Sequence, residues 1–361
     1  MNSYILTHPS FEQFAVQEIK EILGKKAVQH SSVVEFSGSK EECITALFHL
    51  QSARRLLLAI GKYGSVDTLN VEKTAFPWTD IFSSAATIKV EVEGVKGQDN
   101  RAVIARNVSG KLLSLLEQKY NLTPKIELRR PDIVIIVFFN GENYFLGVDL
   151  AGDELNSREY RLFPHSASLK GDAAYVLVRK TGFAAGKKIL IGFMKDGTMA
   201  VEAALFANRK PLFPVTKPLS FQKFLLFQKM ISDKYILAAP EKTIIHGFDE
   251  ALPNVLASRK NAALAGVKEI VDLQKMTLDE LDVKFTEQEF DSLLFIITAK
   301  DEIKINELYY QADYVLKSKG KCLIVGRSQW ELPLSSKFKL LEKGVLERGE
   351  SKHLLWLLEK K

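Results

Sequence analysis

Apolar and polar positions alternate in a pattern that divides the chain into three segments. In the first, which ends near Ser65, short apolar runs alternate with stretches such as Phe11–Leu23, where apolar residues recur at helical spacing. A second helix is expected after Ser39, because serine is a favourable helix N-cap. The strand–helix–strand–helix–strand order predicts a small ferredoxin-like α+β domain over residues 1–65.

The second segment, residues 66–157, combines a long helix with strands. Helical periodicity extends from Ala102 to Tyr120. The apolar run Ile133–Phe139 is followed by Asn140-Gly141, a dipeptide that is typical of a tight turn between antiparallel strands, so we expect a β-hairpin there. The basic stretch that follows, residues 158–181, predicts a helical connector.

The third segment, residues 182–361, alternates short apolar runs with helical stretches. The expected strands are Ile189–Ile191, Thr243–Ile245, Leu293–Ile297 and Cys322–Val325. This alternation predicts a doubly wound, mainly parallel sheet that binds ligands at the carboxyl ends of its strands.

Composition narrows the class of protein. No apolar run approaches the ~20 residues that a membrane-spanning helix needs, and the first residues lack the continuous apolar stretch of a signal peptide. Only Cys43 and Cys322 are present, which excludes a disulfide framework and a cysteine-rich metal site. We therefore expect a cytoplasmic protein. The 50 basic against 44 acidic residues give a formal charge of +6, a mild preference for polyanions.

Several stretches resemble a known family. Leu128–Ile135 and Tyr144–Gly152 are similar to a THUMP domain, an RNA-binding module of thiouridine synthases and RNA methylases. Leu155–Arg161 and Ala167–Lys170 resemble the sequence with which THUMP-containing guanosine methyltransferases enter their catalytic domain. Arg-x-Tyr-Arg and Ala-Pro-Leu-Lys are usual there, and this chain has Ser168 in place of the proline. The resemblance extends over the whole chain.

The resemblance implies an α/β fold, in which an N-terminal ferredoxin-like plus THUMP α+β unit is followed by a Rossmann-like methyltransferase sheet. The implied domains are a ferredoxin-like domain at 1–65, a THUMP domain at 66–157, the basic connector at 158–181 and a Rossmann-like domain at 182–361. The implied partner is tRNA or another structured RNA, bound through its shape and phosphates. Candidate RNA-binding residues are Lys125, Arg129, Arg130, Arg158, Arg161 and Lys170. The alternative is that these cations only solvate helix faces and a linker.

The family's cofactor loop reads Asp-Pro-x-Cys-Gly-Ser-Gly-Thr, and its glycines let the backbone approach S-adenosylmethionine (SAM). This chain keeps Gly197 and Thr198 of that loop, and Asp249 at the next strand tip, where the family holds the ribose hydroxyls. These three are the candidate cofactor residues, and for Asp249 a role as a helix N-cap is the alternative. Ile191 replaces the leading acid. Lys195 replaces the first glycine and would obstruct the pocket unless its side chain points outward.

Two further family motifs are absent. The acid that binds the adenine amine falls near Met276, and the Asn/Asp-Pro-Pro-Tyr/Phe motif of the fourth strand is replaced by Thr298–Asp301, without proline or aromatic residue. That motif binds the guanosine amine and stacks on the flipped base in the family. We therefore assign no catalytic residue. The six histidines have no metal-ligand spacing, so no metal site is assigned.

Three hypotheses remain open. The first is a structured-RNA binding protein, most simply for tRNA, whose methyltransferase fold is catalytically impaired and which acts alone or with a partner subunit. The second is an active SAM-dependent tRNA or rRNA guanosine N2-methyltransferase with diverged motifs. The third is a structural interaction protein with no role on RNA.

Overall fold

The computed structural model describes residues 1–69, 71, 74–214, 216–228, 230, 232–238, 241–298, 301–327, 331–348 and 351–361. Over these residues the chain forms two compact units. The first consists of Met1–Asn156 with Pro214–Ile236, and the second of Ser157–Phe213 with Leu237–Lys361. The predicted ferredoxin-like and THUMP domains both lie within the first unit, and the predicted connector lies within the second.

The first unit is built on one mixed sheet. Its strands are β1 (Asn2–Leu6), β2 (Ala27–His30), β3 (Val33–Ser37), β4 (Arg55–Tyr63), β5 (Thr87–Glu93), β6 (Lys125–Ile126), β7 (Ile133–Phe139) and β8 (Tyr144–Asp149). Its helices are α1 (Glu12–Leu23), α2 (Lys40–His49), α3 (Trp78–Ile81) and α4 (Gln98–Tyr120). Among the described strands the order is β2-β3-β1-β4-β8-β7-β5-β6. Because β4 pairs antiparallel with β8, the predicted first and second domains share this sheet.

Local sequence explains much of this unit. Ser39 caps α2 by accepting a hydrogen bond from the Glu42 N–H, which confirms the expected N-cap. The β7–β8 hairpin is also confirmed. Its Asn140 side chain accepts hydrogen bonds from the backbone at Glu142 and Asn143, and Gly141 has a φ of +102°, which only glycine adopts without strain.

A cluster of ion pairs joins β4 to β5 and β8. The Arg55 guanidinium donates to Asp149 at 2.6 Å and to Glu93 at 2.8 Å. Arg54 donates to Glu93 and to Glu154, both at 2.8 Å. Since β4 comes from the first predicted domain and β5 and β8 come from the second, these bonds fix the two predicted domains to each other as one body.

The segment 214–236 belongs to the first unit, although its sequence position assigned it to the Rossmann-like domain. The Ser220 and Phe221 N–H groups donate to the carbonyls of Ala151 and Leu150, at 3.1 and 2.9 Å. Three aromatic rings of the segment are almost fully buried: Phe221, Phe224 and Phe227. Burial of these rings stabilises the segment in the first unit, although it follows Ser157–Phe213 of the second unit in sequence.

The second unit is a twisted sheet with helices. Its strands are β9 (Ile189–Gly192), β10 (Ile245–Asp249), β11 (Val271–Lys275), β12 (Phe290–Ile296), β13 (Leu316–Arg327), β14 (Phe338–Arg348) and β15 (Ser351–Lys360). Its helices are α5 (Gly171–Lys180), α6 (Thr198–Ala207), α7 (Leu252–Leu264), α8 (Leu281–Lys284) and α9 (Glu302–Val315). In the described part of this unit the strand order is β11-β10-β9-β12-β13-β15-β14. The strands from β11 to β13 are parallel and β15 is antiparallel, which confirms the predicted Rossmann-like sheet.

Helix α5 is part of the second unit rather than a linker. Most of its residues are buried, and the Tyr175 ring meets the edge of the Phe206 ring at 5.7 Å. The Arg179 guanidinium lies 4.3 Å from the centre of the same phenylalanine ring. The basic residues that predicted a solvated connector therefore partly pack inside this unit. None of the described helices is both long and apolar enough to cross a membrane.

Candidate functional site

The loop between β9 and α6 has an unusual backbone. Phe193, Lys195 and Gly197 all have positive φ values, of 55°, 57° and 77°. Left-handed backbone costs a residue with a Cβ atom roughly 1–2 kcal/mol, and glycine pays no such cost. Lys195 therefore adopts a backbone conformation that glycine adopts without strain, and the residue lines the cavity at these strand ends.

The two candidate cofactor residues on this loop have structural partners. A Cβ atom on Gly197 would lie 2.6 Å from the Ser258 Cβ, so glycine is needed for the loop to pack against α7. Thr198 is buried, and its N–H and hydroxyl donate to the Asp196 carboxylate at 3.1 and 2.7 Å. Neither Gly197 nor Thr198 lines the cavity.

Asp249, the third candidate cofactor residue, accepts three hydrogen bonds from other groups of the protein. Its Oδ2 accepts a hydrogen bond from the Lys195 N–H at 3.0 Å. Its Oδ1 accepts from the Ala251 N–H at 3.0 Å and from the Asn254 amide at 2.9 Å. The residue is only 3% exposed. It is not the N-cap of α7, because Ala251 holds that position, so the helix-cap alternative is wrong.

A cavity of about 220 Å³ lies at the ends of β9, β10 and β12. Parallel sheets bind ligands at this place, where the strand order reverses. Its lining includes Phe193, Lys195, Asp249, Asn254, Thr298 and Lys304. The prediction that ligand chemistry would lie at the strand ends is therefore matched by a concave surface there.

Two contacts of the Lys304 ammonium lie in the wall of this cavity. The Lys304 ammonium donates to both Glu250 carboxylate oxygens, at 2.8 and 2.7 Å, so the pair connects the end of β10 to α9. The same ammonium lies 4.5 Å from the centre of the Phe193 ring. Phe193 is 6% exposed and packs against Phe248 and Phe295. Phe193 and the Lys304–Glu250 pair therefore form part of the wall of this cavity.

The residues at the remaining family positions do not form the ligand set that the resemblance implies for SAM. Ile191 is fully buried and offers no carboxylate, and Met276 lies in the apolar core of this unit. Asp301 caps α9 through the Ile303 and Lys304 N–H groups, at 3.0 and 3.2 Å. The neighbouring Ala299 and Lys300 lie outside the described residues.

Arg158 lies inside the second unit, which corrects the expectation of an RNA-binding surface residue. Its guanidinium donates to the Glu202 carboxylate at 2.8 and 3.1 Å, and the Tyr160 hydroxyl donates to the same carboxylate at 2.7 Å. The Arg158 side chain is 1% exposed. Burial, and then the charge of Glu202, raise the pKa of Tyr160 well above its usual value. A buried, paired guanidinium cannot reach an RNA phosphate.

The other two candidates of the second unit differ from each other. Arg161 pairs with Asp196 at 3.3 Å and its side chain is 15% exposed. Asp196 also accepts from the His165 N–H at 3.3 Å, so Arg161 holds a loop in place. Lys170 is exposed directly before α5. Of these two residues, Lys170 is the more exposed.

The three candidates of the first unit lie together. Lys125 is on β6, at one edge of the sheet, and Arg129 and Arg130 follow a few residues later. All three are exposed, and within the described ranges none of them forms an ion pair. Ile126 and Leu128 between them are also exposed, at 53% and 66%. This edge therefore combines free cations with apolar side chains.

Other kinds of chemistry find no support in the residues that the structure describes. Cys43 and Cys322 are buried free thiols, and burial raises the pKa of both, which disfavours the reactive thiolate. No group of three or more His, Cys, Asp or Glu residues in that part of the chain is placed to hold a metal ion.

Comparison with known family models finds a match for two regions of the chain. Residues 63–149 match the family model of the THUMP domain, and residues 158–315 match the model described as the RMKL-like methyltransferase domain. The chain combines a THUMP domain with an RMKL-like methyltransferase domain. The cavity, the β9–α6 loop and Asp249 all lie within residues 158–315, the range that matches the methyltransferase domain.

Curated relatives and solved structures agree with this assignment. Ribosomal RNA large subunit methyltransferase K/L from Photobacterium profundum is 26% identical over 296 residues, which are 78% of this chain and 41% of that protein. The chain thus spans about two fifths of the curated relatives it matches. The structure of SMU.472 complexed with SAH has a TM-score of 0.76 and 18% identity, with 100% of this chain and 98% of that chain covered. TrmN from Thermus thermophilus has a TM-score of 0.70 and 20% identity, with 100% and 99% covered.

These structural relatives share the fold of the methyltransferase domain with this chain. At such identities they establish the fold, and the residues of the site must be judged on their own contacts. Sequence reasoning missed the contact of Lys304 with Glu250 and Phe193. No local signal was available, because Phe193 stands at the variable position of the family motif and its partner on α9 is more than a hundred residues away in sequence.

Proposed function

We propose that this chain binds structured RNA and that its methyltransferase domain is catalytically impaired, so that it serves as a scaffold alone or beside a partner subunit. The observation that carries the proposal is the state of the Asp249 carboxylate. The acid that would hold a cofactor ribose is buried and hydrogen-bonded to Lys195, Ala251 and Asn254.

RNA binding is supported by the THUMP domain and by the exposed edge at Lys125, Arg129 and Arg130. Lysine and arginine side chains that displace counterions from phosphates give affinity that does not depend on sequence and falls with salt. The curated relatives are named for ribosomal RNA, whereas the sequence analysis favoured tRNA. The proposed ligand class is therefore structured RNA, and both kinds serve as probes.

Impaired catalysis is supported by the residues around the cavity. Phe193, Lys304, Glu250 and Asp249 all line the cavity, so a cofactor there would contact residues that already bind one another. It would also have to compete with three protein donors for Asp249. Buried donors left without partners cost about 1–3 kcal/mol each, so this exchange is unfavourable.

A second candidate function is SAM-dependent methylation of guanosine in RNA. The comparisons by themselves favour it, because the curated relatives are named as methyltransferases and nothing in them indicates loss of activity. The cavity at the ends of β9 and β12 is the specific observation in its favour. Under this candidate, Asp249→Ala should lower cofactor affinity.

The test combines two assays on the full chain. Electrophoretic mobility shifts with tRNA and with rRNA-fragment transcripts, at low and high salt, measure RNA binding. Transfer of radiolabelled methyl groups from SAM to the same RNAs measures catalysis. Salt-sensitive binding without transfer supports the proposal, and binding with transfer supports the second candidate. Absence of binding to every RNA at low salt would contradict both and favour a purely structural role.

A further inference from the structure

Phe163 is an exposed aromatic residue held by an internal amide. It is 40% exposed and follows Leu162, which is 68% exposed. The fully buried Asn261 side chain fixes its backbone, since the Phe163 N–H donates to the Asn261 Oδ1 and the Asn261 Nδ2 donates to the Phe163 carbonyl, both at 3.1 Å. The backbone that carries this exposed ring is therefore fixed by two hydrogen bonds to a residue of α7.

The same amide connects Phe163 to the β9–α6 loop. The Asn261 Nδ2 also donates to the Asp196 carbonyl at 2.9 Å. The Asp196 carboxylate in turn binds Arg161 and the His165 N–H, both at 3.3 Å. The segment that carries Phe163 is thus attached at both ends to the strand-end region where ligands of this fold bind.

The surroundings of the ring are basic. The Lys260 ammonium lies 4.6 Å from the centre of the Phe163 ring. Neither the segment 161–170 nor helix α7 contains an acidic residue, while Arg161, Lys170, Arg259 and Lys260 lie in them. A single exposed aromatic residue would need no explanation. An exposed aromatic ring with a cation against it, on a segment and a helix that carry no acid of their own, matches the way proteins hold unpaired nucleotides.

We propose that Phe163 stacks on an unpaired base of the bound RNA and that Lys260 contacts an adjacent phosphate. The proposal rests on the proposed RNA-binding function and adds a contact in the methyltransferase domain to those of the THUMP-containing unit. The base lies on the exposed face of the ring, and Asn261 holds the Phe163 backbone in place before the RNA arrives.

A protein partner is the competing occupant. Leu256 and Leu264 are one helical turn to either side of Lys260 on α7 and are 47% and 46% exposed. If this face bound a protein, the leucines would contribute as much as Phe163. Base stacking requires the aromatic ring and does not require the leucines, so Leu264→Ala is the matched control.

The experiment measures the affinity of the full chain for tRNA and rRNA-fragment transcripts. Phe163→Ala should weaken binding at least about fivefold, with an unchanged salt slope because stacking displaces no counterions. Phe163→Trp should retain the affinity, and Leu264→Ala should leave it unchanged. Lys260→Gln should lower the salt slope by about one. The Phe163→Ala protein should fold, since Asn261 bonds only the backbone of residue 163.

The outcomes separate this proposal from the one on which it rests. If the wild-type chain binds no RNA, the proposed function fails. If the wild-type chain binds RNA and Phe163→Ala binds it equally well, RNA binding stands and the stacking contact is refuted. An equal loss with Leu264→Ala would also refute stacking, since it would mean a general apolar contact.

Discussion

The backbone N–H of Lys195 donates a hydrogen bond to the carboxylate of Asp249 at 3.0 Å. One of these residues stands where the family has a glycine against the cofactor, and the other where the family has the acid that holds the ribose. In this chain they bind each other. The loop after β9 and the end of β10 thus complete each other's hydrogen bonding without a ligand.

Asp249→Ala should destabilise the protein. It removes the acceptor of the Lys195 and Ala251 N–H groups and of the Asn254 amide in a buried place, and we expect a loss of about 2–4 kcal/mol in the free energy of unfolding. Asp301→Ala is the matched control, because this exposed acid caps a helix and should cost only about 1 kcal/mol. Urea unfolding measures both. An Asp249→Ala protein of wild-type stability would show that the carboxylate serves a ligand instead.

Arg158→Met and Lys170→Gln should have opposite effects. Arg158→Met leaves the buried Glu202 carboxylate without its counter-charge, and breaking such a pair costs about 3–5 kcal/mol. Lys170→Gln removes an exposed cation and should change stability by less than about 0.5 kcal/mol, while it weakens RNA binding. Unfolding and RNA titrations on both variants test this contrast. A stable Arg158→Met protein with weaker RNA binding would restore the surface role that the sequence predicted.

Arg129→Glu should weaken RNA binding by the THUMP-containing unit. The substitution reverses a free charge beside β6, so affinity should fall more than about tenfold at low salt and the slope of log affinity against log salt should decrease. Lys26→Glu is the matched control, since Lys26 is exposed directly before β2, at the opposite edge of the same sheet. Equal losses for the two variants would mean that net charge alone, and no defined edge, determines the affinity.

Asp132→Asn should destabilise the protein in a pH-dependent way. The hydrogen bond from Lys223, together with those from Thr87, lowers the pKa of the Asp132 carboxyl. A lowered folded-state pKa contributes stability above the usual carboxyl pKa, and this contribution disappears as the pH falls through the lowered value. Because the pair is partly exposed, we expect a difference of about 1 kcal/mol or less at pH 7.

Urea unfolding of wild type and Asp132→Asn at pH 7 and near pH 3 provides the measurement. The difference between the two proteins should shrink at the lower pH, because below the usual carboxyl pKa the unfolded wild-type chain binds a proton at Asp132. A difference that is the same at both values would show that the Asp132 carboxylate does not contribute through its charge.

The sequence predicted the order of elements well, because most elements are specified locally. The helical period over Phe11–Leu23, the Asn140-Gly141 turn and the apolar run of β7 each depend on neighbours in the chain. The shared sheet could not be predicted in this way. It depends on the pairing of β4 with β8 and on the Arg55–Asp149 ion pair, whose partners are almost a hundred residues apart.

The same distinction between local and distant determinants applies to the candidate site. Motif spacing identified Asp249 and the substituted loop, but the partners of these residues come from tertiary structure. Arg158 shows the limit most clearly, because a basic residue in a basic stretch gives no sign of burial until Glu202 on α6 is seen to meet it. Phe193 and Lys304 are a pair of the same kind, which no local pattern reveals.

Calorimetric titration of SAM into the full chain tests the central claim most directly. The proposed function predicts no saturable heat at concentrations that saturate an ordinary methyltransferase, because Asp249 is hydrogen-bonded to Lys195, Ala251 and Asn254, and Ile191 offers no carboxylate. Stoichiometric binding with micromolar affinity would contradict it, since the loop and the Lys304–Glu250 pair would then have to open for the cofactor, and RNA methylation would become the function to pursue.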